Sequence, residues 1–191
     1  MNTPAHLIFG AAAFARPGER KVTAAALLGA LLPDVSLYAM AGWHLLVLGT
    51  DARVVFGQYY YSPEWMAVFS VDNSFLIWGA LLGFALWLKR EWAVALCGAA
   101  LLHLALDFPL HAGDGRPHFW PLSDWIFDSP FSYWDRAHGA AIIGPLETLM
   151  CLAALVILWR RFATPLPRAA ITTAAALQLS PVIIWMFVFG N

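Results

Sequence analysis

Long apolar runs separated by short polar or basic breaks set the pattern of the chain. Four of them, at about residues 64–88, 91–108, 138–159 and 168–189, are expected to form full spans of a hydrocarbon core about 30 Å thick. The first of these ends in Lys89-Arg90 and the third in Arg160-Arg161. Two shorter runs precede them. Residues 3–15, TPAHLIFGAAAFA, open with a Thr suited to capping and a Pro at the first helical position, then run apolar to Arg16-Pro17. A second run starts after Arg20 and Lys21, reaches Pro33-Asp34 and continues through Leu48. The first run, and the second as far as Pro33, each cover about 20 Å, so both helices reach from one face of a bilayer to beyond its middle. The expected fold is all-α: a polytopic integral membrane helical bundle with about four full spans plus two short or broken helices near the N-terminus. A single domain over 1–191 is expected, because no polar or Pro/Ser-rich linker and no internal repeat divides the chain.

Composition agrees. Hydrophobic residues make up 61% and charged residues 12% of the chain, and the mean hydropathy is +0.66. A net charge of −1 argues against a nucleic-acid partner. Cys97 and Cys151 both lie inside apolar runs without CxxC spacing and read as core residues. The N-terminal stretch has neither a basic leader nor a small-residue cleavage site, and is not expected to be a removable signal peptide. Orientation follows from the cations. Arg16, Arg20, Lys21, Lys89, Arg90, Arg160, Arg161 and Arg168 fall on one side of the threading and Arg53, Arg116 and Arg136 on the other, an eight-to-three bias that places the first set in the cytoplasm. The loops 49–63 and 109–137, rich in Tyr and Trp, are then expected outside.

The polar residues gain meaning on this threading. His6 lies near the outer start of the first short helix and Asp34 near the deep end of the second. Asp72 sits about nine residues into its span by the count of the sequence, His103 and Asp107 in the last turns of theirs, and His138 opens the next, with Glu147 about nine residues further. All fall at the middle of the bilayer or in its outer half, as one shared polar site would require. His103 and Asp107 are four apart, hence on one helical face, and Pro109 is expected to end that helix. His111 and His118 follow in a loop that Gly113, Gly115 and Pro117 allow to turn back.

Imidazole and carboxylate together suit zinc or another borderline divalent ion, in a site of one to three metals. Each residue also has a simpler role. The His103/Asp107 pair suits an interhelical hydrogen bond or a proton relay, Asp34 and Asp72 suit helix caps, and His6 can snorkel. Glu147 follows Gly144-Pro145 at a kink that frees carbonyls. His138 is open between the two kinds of role, His44 is expected to be structural, and Asp114, Asp124, Asp128 and Asp135 are expected to be solvated turn residues.

Four motifs in order, Met1-Asn2-Thr3-Pro4-Ala5-His6, Leu31-Leu32-Pro33-Asp34, His103-Leu104-Ala105-Leu106-Asp107 and His118-Phe119-Trp120-Pro121, resemble a bacterial family of inner-membrane, metal-dependent hydrolases, some of them under SOS-repressor control. The resemblance covers most of residues 1–121. The family commonly carries a His-Arg and Thr-His-Ser stretch between the second and third motifs; here Val71-Asp72-Asn73-Ser74 keeps only the Ser, which makes Asp72 a candidate substitute. The order of His, Asp, HxxxD and His is also distantly similar to that of zinc-dependent phospholipases C. The resemblance implies hydrolysis of a lipid or lipid-linked phosphoester.

The functional expectation is therefore a metal-dependent hydrolase of the bacterial inner membrane, with its site facing the extracytoplasmic side. His6, Asp34, His103, Asp107, His111 and His118 are the candidate ligands, and Asp72 and Glu147 the candidate catalytic groups. The alternatives are an ion, proton or small-solute carrier that uses the same residues, and an inactive membrane scaffold.

Overall fold

The computed structural model describes residues 1–189, with side chains for residues 1–180. Helices and no strands occur among the described residues: α1 (Thr3–Phe14), α2 (Arg20–Gly42), α3 (Ala52–Gly57), α4 (Pro63–Asp72), α5 (Phe75–Trp87), α6 (Glu91–Asp107), α7 (Ala140–Arg161) and α8 (Pro165–Phe189). Four helical stretches among the described residues are long and apolar enough to cross a membrane: Arg20–Val47, Pro63–Trp87, Glu91–Leu110 and Ala140–Arg161. The first of these was expected as a short or broken helix, and the expected span at 168–189 falls on α8, whose side chains beyond residue 180 lie outside the described residues. Apolar side chains such as Leu46, Trp87, Ile142 and Leu149 stand well exposed around the bundle. In water such a surface would aggregate, whereas lipid solvates it.

The bundle has two unlike ends. Arg16, Lys89, Arg90, Arg161 and Arg168 gather where α1 meets α2, α5 meets α6 and α7 meets α8. Arg161 Nη1 donates to the carbonyls of Ala12 (2.8 Å) and Ala15 (3.1 Å), which closes the C-terminus of α1 with a cation. The other end carries the long loop between α6 and α7.

Local sequence differs from expectation at three points. Asn2, rather than Thr3, caps α1, its Oδ1 accepting from Ala5 N at 2.9 Å. The second element is not broken at Pro33: α2 runs through it and ends in a wider turn at Trp43–Val47. The proline has no N–H to return to Gly29; its own carbonyl has a partner outside the helix, Asn73 Nδ2 donating to it at 3.2 Å. The break falls instead inside the run at 64–88, between α4 and α5 at Asn73-Ser74. Ser74 Oγ accepts from Leu76 N and Ile77 N, both at 3.1 Å, and so starts α5.

Loop residues fill that break. Phe75 N donates to the His118 carbonyl at 2.9 Å and Ser74 Oγ to the Trp120 carbonyl at 2.5 Å. The loop therefore enters the bundle at the break between α4 and α5 rather than lying over it.

Helix α1 is central. Ala5, His6, Ile8 and Gly10 are buried, and α1 packs against α2, α6, α7 and α8. Its small residues permit this: a Cβ on Gly10 would lie 2.6 Å from the Ala30 Cβ. The α2–α6 contact is closer still, since a Cβ on Gly29 would lie 2.0 Å from the Leu96 carbonyl oxygen. That approach sets Asp34 opposite His103.

Candidate metal centre

Helices α1, α2 and α6 each deliver part of one buried cluster. His6, His103 and Asp107 offer ligand atoms that all lie within 4.8 Å of one another. Asp107 is the hub. Its Oδ1 lies 3.0 Å from His6 Nε2 and also meets the Met1 amino group, while Oδ2 lies 3.4 Å from both His103 Nε2 and His111 Nε2. Asp34 Oδ1 lies 3.8 Å from His103 Nε2 on the far side. The His6 and His103 rings stack, with centroids 3.6 Å apart.

Tautomers follow from the fixed partners. His103 Nδ1 lies 2.7 Å from the Ala30 carbonyl oxygen, which can only accept, so Nδ1 carries the proton. In the neutral ring, Nε2 is then a lone pair, buried, without a hydrogen bond, and facing carboxylate oxygens of Asp107 and Asp34. Acceptors facing acceptors require a proton or a cation between them. His6 repeats the pattern: with Nε2–H donated to Asp107, its Nδ1 is buried without a partner. Two ligands at about 2.1 Å from a tetrahedral zinc lie roughly 3.4 Å apart, which matches the His103–Asp107 and His111–Asp107 separations. The residues present thus fit a divalent ion, held by His6, His103 and Asp107 with Asp34 and His111 beside them. The carbonyl that orients His103 is the type of support that metal-ligating histidines use.

The other candidate residues divide. His111 Nδ1 lies 3.1 Å from Asp114 Oδ2, so this imidazole bridges two carboxylates. Burial pulls its pKa down, but Asp107 and Asp114 more than offset this and hold it above the ordinary histidine value. His118 is buried yet stands apart from the His6–His103–Asp107 group. Its Nδ1 donates to the Arg116 carbonyl at 2.7 Å, and its ring is boxed by Phe75 (5.5 Å) and Phe108 (5.4 Å). Burial pushes this imidazole down to about 4.

Asp72 also stands outside the cluster. Its Oδ1 accepts from Asn73 Nδ2 at 2.7 Å, and its carbonyl from Trp78 Nε1 at 2.8 Å, at the break between α4 and α5. Glu147 lies against Asn2 and Gln178, beside the cluster but not in it. His138 pairs with Asp135 at 2.6 Å on the surface, and His44 packs against Tyr59 and Trp65, as a structural residue would.

Two participants were assigned differently from sequence. Asp114 is not a solvated turn residue: it is 9% exposed, faces His111 and accepts from Trp134 Nε1 at 3.0 Å. Arg116, counted only as an outer-loop cation, is 5% exposed. Its Nη1 donates to Asn73 Oδ1 at 2.8 Å and lies 3.6 Å from Asp34 Oδ1, while its guanidinium sits 4.6 Å from the centre of the Phe69 ring. The Asp34 carboxyl and the Tyr60 hydroxyl hold this guanidinium firmly protonated against its burial. The signal for both residues was their place in the Gly113–Pro117 turn between two histidines.

No family model, no curated protein and no solved structure matches the chain.

Proposed function

We propose that this protein is a metal-dependent hydrolase of the bacterial inner membrane, with zinc as its ion and a lipid or lipid-linked phosphoester of the extracytoplasmic leaflet as its substrate. The observation that carries the metal is the bare His103 Nε2, facing the oxygens of Asp107 and Asp34 with no hydrogen bond of its own. When bound, such an ion supplies an activated water and a positive charge for a phosphoryl oxygen. The chain's own residues supply the rest. His6, His103 and Asp107 hold the ion, and the Asp114–His111–Asp107 series can move a proton away from the water. Arg116 places a countercharge 3.6 Å from Asp34 Oδ1. The hydrolase resemblance of the four motifs supports the reaction class, and the basic end of the bundle, as the cytoplasmic end, supports the orientation.

Metal analysis of the purified protein tests this reading. Stoichiometric zinc is expected in the wild type and its loss in His103→Ala and Asp107→Ala, together with hydrolysis of a phospholipid or generic phosphodiester that chelation abolishes and zinc restores. Protein without metal, or with metal unchanged in both variants, would sink the proposal. Metal or proton flux into proteoliposomes without turnover of any phosphoester would make it a carrier instead.

A further inference from the structure

Beside the His/Asp cluster lies a groove of about 990 Å³, between α7, α8 and the loop 111–139. Its polar lining includes Asn2, Arg136, Thr148, Glu147 and Gln178, the last two only 3% and 2% exposed. Asn2 Nδ2 and Gln178 Nε2 both donate to Glu147 Oε1, the latter at 3.1 Å. Glu147 Oε2 and Gln178 Oε1 consequently remain buried without partners. Two unsatisfied acceptors on adjoining side chains are expensive, and a group with hydrogens to donate relieves both.

The remaining walls are largely apolar. Pro145, Leu149 and Leu152 line the groove, and Leu149 is itself 65% exposed on the lipid-facing perimeter. The groove thus opens sideways to the surface that lipid covers. It also abuts the candidate metal centre. Tyr133 lines it and sets its ring 5.6 Å from that of His111, and Asn2, which lines it too, follows the Met1 whose amino group meets Asp107.

We propose that this groove seats the hydrogen-bond-donating headgroup of a membrane lipid, a primary ammonium or a hydroxyl, on Glu147 and Gln178, with the lipid's chain against Leu149 and Leu152. As the substrate's seat, it rests on the hydrolase reading; as a lipid site, it stands alone. Glu147 is then a specificity residue that recognises the substrate's head and not the base that activates water.

The full chain, purified in neutral detergent, is offered equimolar phosphatidylethanolamine, phosphatidylglycerol and phosphatidylcholine with identical acyl chains. Retained lipid is read by native mass spectrometry and zinc is measured on the same samples. One hydrogen bond of about 1 kcal/mol predicts roughly fivefold retention of a donor-bearing lipid over phosphatidylcholine, which has no N–H or O–H. Preference for phosphatidylethanolamine identifies the ammonium and preference for phosphatidylglycerol the hydroxyl. Glu147→Gln should erase the preference. Gly144→Leu should lower retention of all three, because Gly144 lines the groove and a Cβ there meets nothing within 4 Å. Equal retention of phosphatidylcholine, or a preference that survives Glu147→Gln in folded protein, overturns the proposal. Full zinc content without headgroup preference overturns the groove alone; headgroup preference without zinc overturns the metal reading alone.

Discussion

Asp107 and His118 show at the residue scale how little a residue's type says about its task. Both were candidate ligands from the same stretch of sequence. Asp107, at the end of α6, is shared by three imidazoles. His118, eleven positions later in the chain by number, spends its Nδ1 on the Arg116 carbonyl and its ring faces on phenylalanines. Its folded value of about 4 lies below the ordinary 6.5, so the unfolded chain binds the extra proton between those values. Stability is therefore full above pH 6.5 and is lost as pH falls towards 4, with a limiting slope of about 1.4 kcal/mol per pH unit. Between pH 7 and pH 5 the wild type should lose about 2 kcal/mol through this residue. His118→Phe, which keeps a ring in the aromatic box, should lack that share of the loss. Denaturant unfolding at the two pH values checks it, and identical pH dependence in both proteins would refute the assignment.

At the scale of elements, two contacts position the site. The first is the approach of α2 to α6 at Gly29. A methyl group there meets the backbone of Leu96, with its carbonyl oxygen at 2.0 Å and carbonyl carbon at 2.8 Å, and a backbone cannot rotate away as a side chain can. Gly29→Ala should cost about 1–3 kcal/mol through forced separation of the helices. It should also lower zinc content, because Asp34 and His103 move apart; unchanged unfolding and metal content would show that the contact is dispensable. The second is the break between α4 and α5. Ser74→Ala removes a helix cap worth about 1 kcal/mol and the hydrogen bond to the Trp120 carbonyl, worth about 1 kcal/mol more. Limited proteolysis within 111–139 should become faster in this variant, and an unaltered cleavage rate would argue that the loop is anchored elsewhere.

For the whole molecule, the bundle divides into a basic end that fixes helix termini and an opposite end that holds polar groups. A metal that binds only the folded arrangement stabilises it by about 2.7 kcal/mol at a hundredfold excess over its dissociation constant. Zinc added to metal-stripped protein should raise its unfolding midpoint, and Asp107→Ala should show no rise. A midpoint indifferent to zinc in the wild type would mean that the cluster is satisfied by protons alone.

The helical, membrane-type bundle and most of its helix ends were legible without coordinates, because apolar run length and flanking cations are local properties of a chain. So was the pairing of His103 with Asp107, which needs only the pitch of one helix. What lay beyond reach depends on contacts between distant segments. Asp34, His6 and Asp107 come together because glycines at positions 10 and 29 let α1, α2 and α6 approach closely. Helix α2 continues through Pro33, whose carbonyl is held from outside the helix by Asn73. The span at 64–88 breaks because loop carbonyls, contributed more than forty positions later, pair with Ser74 and Phe75. Arg116 and Asp114 became part of the centre, and Asp72 and Glu147 stood aside from it, by the same cause. Sequence by itself determined which residues are expensive to bury; only the tertiary structure decided which partners they have there.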